Sequence, residues 1–96
     1  DTGSSMEEAV SIVQQCGARE IYLSFVHPLL SPPAVERLRR LPVREIITTN
    51  SIQIPPEKRL PNMTVLSVAS LLGEVIRRVH EGSSVGAMFT RYHLFR

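Results

Sequence analysis

Three observations predict an α/β fold with a largely parallel sheet. Amphipathic helical segments alternate with short β-branched segments, an order that pairs strands in parallel and packs helices against the sheet. Proline, glycine and serine separate these segments. The composition, 43% hydrophobic and 21% charged over 96 residues, fits one small folded domain or part of a larger one.

The first helix is predicted to begin in Ser5-Met6-Glu7-Glu8, which has the spacing of a capping box. Gly17 is expected to close it in the left-handed position. Its apolar stripe consists of Met6, Ala9, Val10, Val13 and Cys16. Residues 20–26 are short, β-branched and aromatic, which predicts a buried strand.

The remaining elements are predicted as a helix at 34–40, a strand at 43–49, a proline-rich loop at 51–62, a third strand at 63–68, a helix at 69–81 and a helical turn at 85–89. Pro32 and Pro33 suit a first helical turn. Gly82 is expected to close the longest helix. That helix has one apolar face, formed by Leu72, Val75, Ile76 and Val79.

Charge and composition limit the classes of partner. The formal net charge of +2 is too small to indicate a nucleic-acid partner. No apolar run approaches the roughly 20 residues of a membrane span, so no membrane partner is expected. The single cysteine, Cys16, cannot form an intrachain disulfide and suits a reducing compartment, which favours a cytoplasmic location.

The polar segment Asp1-Thr2-Gly3-Ser4-Ser5 leads directly into the first helix. Such a loop collects unpaired N–H groups and the helix dipole adds partial positive charge, so phosphate is a natural ligand. The same residue types also cap ordinary helices, and the local sequence leaves both interpretations open. Because a strand normally precedes such a loop, the chain is expected to be a C-terminal fragment of a longer protein.

Other polar residues are candidates at the edge of the sheet where α/β proteins bind ligands. His27 and the string Thr48-Thr49-Asn50-Ser51 each follow a strand. Both interpretations stay open for them: ligand binding, or hydrogen bonds that satisfy neighbouring groups. The three histidines match no zinc pattern. A solvated face or a subunit contact is favoured for the helix arginines, which are Arg37, Arg39, Arg40, Arg77 and Arg78.

Several separated segments, in the right order, resemble the ribose-phosphate pyrophosphokinases (phosphoribosyl pyrophosphate synthetases). They are Asp1-Thr2-Gly3-Ser4-Ser5, Gly17-Ala18-Arg19, Val26-His27-Pro28, Leu30-Ser31-Pro32-Pro33-Ala34, Thr49-Asn50-Ser51-Ile52, Val65-Leu66-Ser67-Val68 and Ile76-Arg77-Arg78-Val79-His80. The resemblance extends to about Phe89. It implies a type I phosphoribosyltransferase-like domain, a three-layer sandwich of which residues 1–96 would be the C-terminal portion, with the N-terminal domain absent.

The resemblance implies a Mg²⁺-dependent enzyme that transfers diphosphate from ATP to ribose 5-phosphate. Asp1, Thr2, Gly3, Ser4 and Ser5 would bind the 5-phosphate, with Asp1 facing the sugar. The family usually has Asp-Thr-Gly-Gly-Thr at these positions, so Ser4 replaces a glycine. A side chain there would cost about 1 kcal/mol if the backbone required a positive φ.

The resemblance also implies homo-oligomers, hexamers in the family, and an allosteric phosphate site that would include Ser84 and Phe89. Gly86 replaces the second serine of that element. The acidic pair, the basic loop and the ATP-binding domain of the family lie outside these 96 residues. No catalytic or metal-binding residue is therefore expected in the chain, and alone it should be inactive. A nucleobase phosphoribosyltransferase and a catalytically silent regulatory paralogue are the alternatives.

Overall fold

The computed structural model describes residues 4–89. Its elements are α1 (Ser4–Gln15), β1 (Tyr22–Ser24), α2 (Pro32–Arg40), β2 (Glu45–Thr49), a 3-10 turn (Pro56–Lys58), β3 (Met63–Leu66) and α3 (Ala69–Glu81). Their order is the predicted one, and α3 has the predicted bounds. None of the helices within residues 4–89 is both long enough and apolar enough to span a membrane.

The three strands form one parallel sheet in the order β1-β2-β3. In the central strand, Ile46 pairs with Leu23 on one side and with Met63 on the other. Ile46 is completely buried, at 0% exposure. Because neighbouring strands run in the same direction, each connection returns along the sheet, and all three strands end at the same edge. The predicted α/β class with a parallel sheet is confirmed.

One apolar core joins the sheet to α1 and α2, which contact each other. Val10 of α1 and Leu38 of α2 are each 3% exposed and belong to the same buried cluster as Ile46. The cluster also contains Leu30, Val35, Val43, Leu60 and Met63. The predicted stripe of α1 is only partly buried, since Val13 remains 41% exposed.

Three helix boundaries show how local sequence sets the elements. The predicted capping role of Ser5 is wrong, because α1 already includes Ser4. α2 begins earlier than predicted because Ser31 Oγ accepts a hydrogen bond from the Ala34 amide at 3.4 Å. Gly82 has the predicted left-handed backbone (φ 73°), which a side chain would disfavour, and its amide donates to carbonyls of α3.

β1 differs from the buried strand predicted at 20–26. It contains only residues 22–24, and Tyr22 is 50% exposed. The physical reason is position: within residues 4–89, β1 pairs with β2 alone and is an edge strand. The other two strands are also shorter than predicted. β3 ends at Leu66 because the Val68 amide donates to Asn50 Oδ1 rather than continuing the ladder.

α3 has the predicted length but not the expected burial. None of its residues is buried, and Leu72, Ile76 and Val79 are 54%, 69% and 67% exposed. The described residues thus form a sheet that shares one apolar core with α1 and α2. The third layer of the predicted sandwich stays a prediction. The predicted turn at 85–89 is present as a 3-10 turn at 86–89.

Thr48 is an unusual core residue, and replacing its hydroxyl by a methyl group is expected to stabilise the fold. It is 1% exposed, and its Oγ1 has no hydrogen-bond partner among residues 4–89. Because an unpaired buried hydroxyl is costly, Thr48→Val should raise the free energy of unfolding by about 1 kcal/mol in urea denaturation. Thr49→Val is the control and should lower it, since Thr49 Oγ1 donates to the Val26 carbonyl. A loss of stability in Thr48→Val would show that its hydroxyl is paired.

Candidate ligand site at the carboxyl edge of the sheet

The carboxyl edge of the sheet is where β1, β2 and β3 end, at Ser24, Thr49 and Leu66. Helices that precede or follow parallel strands run against them, so their N-termini lie at this same edge. α1 leads into β1 through residues 16–21, and α3 follows β3 after two residues. The edge therefore combines strand ends with helix N-termini, which present N–H groups and partial positive charge.

Side chains accept hydrogen bonds from backbone amides at the start of α2 and of α3. Ser31 caps α2 through its hydroxyl. At α3, Asn50 Oδ1 accepts from the Val68 amide at 2.9 Å, and Ser67 Oγ accepts from the Ala69 amide at 3.1 Å. The Asn50 bond crosses from the end of β2 to the start of α3. It fixes the position of the loop after β2 and uses donors that an anion would otherwise bind.

The loops after β1 and β2 are joined by a compact hydrogen-bond network. The Val26 carbonyl accepts from Thr49 Oγ1 at 2.7 Å and from Ser51 Oγ at 2.9 Å. Thr49 Oγ1 in turn accepts from the Ser51 amide at 3.1 Å. His27 Nδ1 lies 2.9 Å from Ser51 Oγ. Two of the sequence candidates, His27 and the polar string after β2, are thus brought together.

The network supports the turn-forming interpretation of the string in part, because Thr49 and Asn50 bond to backbone groups. It also leaves the His27 imidazole at the surface, since the residue is exposed. Both properties suit a binding edge, where a rigid platform carries an accessible polar group.

The predicted phosphate loop lies partly outside the described residues, which exclude Asp1, Thr2 and Gly3. Ser4 and Ser5 form the first turn of α1 and are exposed. No non-glycine residue among those described has a positive φ, so the replacement of a glycine by Ser4 causes no left-handed strain.

The flank of α1 carries charges of its own. A depression beside Ser4 is lined also by Glu7, Glu8, Ser11 and Arg37. Arg37 Nε lies 3.6 Å from Glu7 Oε2. A carboxylate in the first turn interacts favourably with the helix dipole and repels anions. An anion is therefore expected beyond the end of the helix axis, toward residues 1–5, rather than in this acidic depression.

The helix arginines are engaged in ion pairs on exposed faces. Arg77 bonds both Glu74 and Glu81 at 2.6 Å, and Arg78 bonds Glu74 at 2.8 Å. On α2, Arg39 and Arg40 pair with Glu36 at 3.6 and 3.9 Å. These contacts agree with the predicted solvated faces.

The predicted allosteric residues follow α3. Ser84 Oγ accepts from the Ala87 amide at 3.2 Å, and its carbonyl accepts from Arg78 at 2.7 Å. Phe89 is 44% exposed. These contacts order the turn after α3, and the allosteric role of Ser84 and Phe89 stays a prediction.

Within residues 4–89, no three His, Cys, Asp or Glu side chains lie close enough together to hold a metal ion. The described residues therefore do not fit a resident Mg²⁺ site. At the carboxyl edge, the hydrogen-bonding side chains described above carry hydroxyl, amide and imidazole groups.

Comparison with known proteins identifies the family. The pattern of the phosphoribosyl synthetase-associated domain matches residues 1–90. The chain belongs to this family. Ribose-phosphate pyrophosphokinases of Nostoc sp. and Synechococcus elongatus are 46% and 47% identical over 93% of the chain. The crystal structure of phosphoribosylpyrophosphate synthetase from Mycobacterium smegmatis superimposes with a TM-score of 0.83 at 41% identity, covering 86% of this chain and 28% of that one.

The matches cover nearly all of this chain but only a part of each relative. The chain spans 27% of the length of the two curated relatives. The family match covers the N-terminal 90 residues of this chain, 1–90, with 91–96 outside it. The expectation that the matching segment is a C-terminal part is corrected accordingly. The match to a phosphoribosylpyrophosphate synthetase structure is consistent with a partial phosphoribosyltransferase-like domain.

Sequence reasoning missed the hydrogen-bonded pairing at the carboxyl edge. It identified His27 and Ser51 separately but did not predict their hydrogen bond, nor the bond from Val68 to Asn50. The available signal was that both segments follow strands, which in a parallel sheet end side by side. Lys58 Nζ donates a hydrogen bond to the Leu30 carbonyl at 2.7 Å, and no feature of the sequence indicated this contact.

Glu74 provides a pH-dependent test of α3. Hydrogen bonds from Arg77, and then from Arg78, lower its pKa from 4.5 to about 2. Because the folded-state pKa is below the ordinary value, the stabilisation is present above about pH 4.5 and is lost as the pH falls toward 2. Glu74→Gln should therefore lower the melting temperature at neutral pH, and the difference from the parent should vanish near pH 2.

Thermal unfolding followed by circular dichroism measures this difference. The control is Glu57→Gln, because the Glu57 carboxylate has no ion pair among the described residues. It should leave the melting temperature nearly unchanged at neutral pH. A Glu74→Gln difference that stays constant down to pH 2 would contradict the assignment.

Proposed function

We propose that the chain is the ribose 5-phosphate-binding portion of a ribose-phosphate pyrophosphokinase. The whole enzyme would transfer diphosphate from ATP to ribose 5-phosphate and release phosphoribosyl pyrophosphate and AMP. The observation that carries the proposal is 46% identity over 93% of the chain to a protein named as that enzyme. No observation specifically favours a nucleobase phosphoribosyltransferase or a silent paralogue.

The physical role proposed for the chain is to position the sugar phosphate. The first turn of α1 lies at the carboxyl edge, where the dipole of a 12-residue helix favours an anion. In the proposal, Asp1, Thr2, Gly3, Ser4 and Ser5 surround the phosphate, and hydroxyls of Ser4 and Ser5 donate to its oxygens. Diphosphate transfer depends mainly on such positioning and on charge neutralisation.

Other features of the proposal come from the family resemblance. Mg²⁺ would be held by groups outside the described residues. A cytoplasmic homo-oligomer, a hexamer by analogy, is proposed, and the exposed apolar face of α3 is consistent with further contacts. Ser84 and Phe89 are proposed to belong to a regulatory phosphate site.

Phosphate binding at α1 is tested by placing a competing charge there. Ser5→Asp adds a carboxylate in the first turn. Its charge interacts favourably with the helix dipole but repels a phosphate. We expect ribose 5-phosphate to bind about tenfold more weakly or worse, with unchanged or higher thermal stability. Amide chemical shifts during titration report both the affinity and the site of binding.

Ser11→Asp provides the matched control, since it adds the same charge at an exposed residue farther along the same helix. It should weaken binding much less than Ser5→Asp. Equal losses in the two variants would place the phosphate elsewhere, and the site assignment would fail.

The chain by itself is expected to lack synthetase activity. It spans 27% of the length of its curated relatives, and no three His, Cys, Asp or Glu side chains within residues 4–89 lie close enough together to hold a metal ion. The measurement is AMP release that requires both ATP and ribose 5-phosphate. Turnover above background with purified chain would contradict this expectation.

A further inference from the structure

The hydrogen-bond network after β1 and β2 determines which nitrogen of His27 carries its proton. A serine hydroxyl has one hydrogen to donate and can accept from two partners. The hydrogen of Ser51 Oγ is used by the Val26 carbonyl, which can only accept. The contact of 2.9 Å between Ser51 Oγ and His27 Nδ1 is therefore donated by Nδ1–H.

Neighbouring bonds leave little freedom to reverse this arrangement. Thr49 Oγ1 donates its own hydrogen to the Val26 carbonyl and accepts from the Ser51 amide. The network thus joins two loops that are distant in sequence: His27 and Ser51 are 24 residues apart. Two bonds besides the His27 contact hold Ser51, one through its amide and one through its hydroxyl, so it presents a fixed acceptor to the imidazole.

The consequence lies at the other ring nitrogen. With its hydrogen on Nδ1, a neutral imidazole has a lone pair on Nε2, which can only accept a hydrogen bond. No described residue bonds Nε2, and His27 is exposed at the carboxyl edge. The structure thus holds an oriented acceptor at the edge where the first turn of α1 also lies.

We propose that His27 is a substrate-positioning residue whose Nε2 accepts a hydrogen bond from a hydroxyl of a phosphorylated sugar, while Ser51 fixes the required tautomer. A phosphate oxygen of a dianion has no hydrogen to donate, whereas a sugar hydroxyl has one. Nε2 would therefore select the sugar rather than its phosphate. This inference rests on the proposed function, since it places the sugar phosphate at the same edge.

The test follows the imidazole ¹⁵N signals of the full 96-residue chain during titration with ribose 5-phosphate and, separately, with inorganic phosphate. Spectra are recorded at about pH 8.5, where ordinary imidazole is neutral. His27 should show the pattern of an Nδ1–H tautomer, unlike His80, which no described residue bonds. Ribose 5-phosphate should shift His27 Nε2, and inorganic phosphate should not.

Variants of His27 and Ser51 distinguish the bond that fixes the imidazole from the bond that the imidazole makes to the ligand. His27→Asn keeps an amide donor near the position of Nδ1 but removes the outer acceptor, so ribose 5-phosphate should bind about five- to tenfold more weakly. His27→Gln places an amide near Nε2 and should recover part of the loss. Ser51→Ala should abolish the tautomer preference, and Ser51→Thr should restore it. His80→Asn is the matched control and should have no effect on affinity.

The outcomes distinguish the two proposals. If ribose 5-phosphate shifts the amides of Ser4 and Ser5 but leaves His27 unchanged, this inference is overturned while the proposed function stands. A tautomer mixture at His27 like that at His80 also overturns it. If ribose 5-phosphate shifts neither region, both proposals fail. Binding that shifts Nε2 and weakens in His27→Asn supports the inference.

Discussion

Parallel pairing on both sides of β2 is the constraint on which the remaining structure depends. Ile46 at the centre is fully buried and pairs with Leu23 and Met63 at once. This arrangement brings the ends of three strands together, although they are distant in sequence. It also fixes which loops meet: the register that pairs Ser24 with Ile47 brings the residues after β1 next to those after β2. The polar chemistry of the chain is built on that juxtaposition.

At the carboxyl edge, several polar groups of residues 4–89 are hydrogen-bonded to one another. Asn50 and Ser67 accept from amides at the start of α3, and Ser31 caps α2. The Val26 carbonyl accepts two hydroxyl donors. Such closure gives rigidity without any ligand, because each bond restricts a loop that would otherwise fluctuate. A rigid edge lowers the entropic cost of positioning a ligand, including the phosphorylated sugar proposed above.

The sequence was a good guide wherever the determining signal was local. The bounds of α3 were predicted because its apolar period and Gly82 lie within the helix and its cap. The exposure of Tyr22 was not predicted, because burial of an edge strand depends on what pairs with its outer side. Likewise His27 and Ser51 were each recognised as candidates. Their bond depends on strand register, which no single segment encodes.

The described residues pair the polar groups of this network more completely than they bury the apolar residues of α3. The network at the carboxyl edge closes within residues 4–89, whereas Ile76 and Val79 of α3 remain about two-thirds exposed. Small domains bury a smaller share of their surface than large ones, and the curated relatives are much longer, since this chain spans 27% of them. The geometry of the site therefore depends on hydrogen bonds inside the chain. The exposed face of α3 is apolar, and the hydrogen bonds at the carboxyl edge do not bury it.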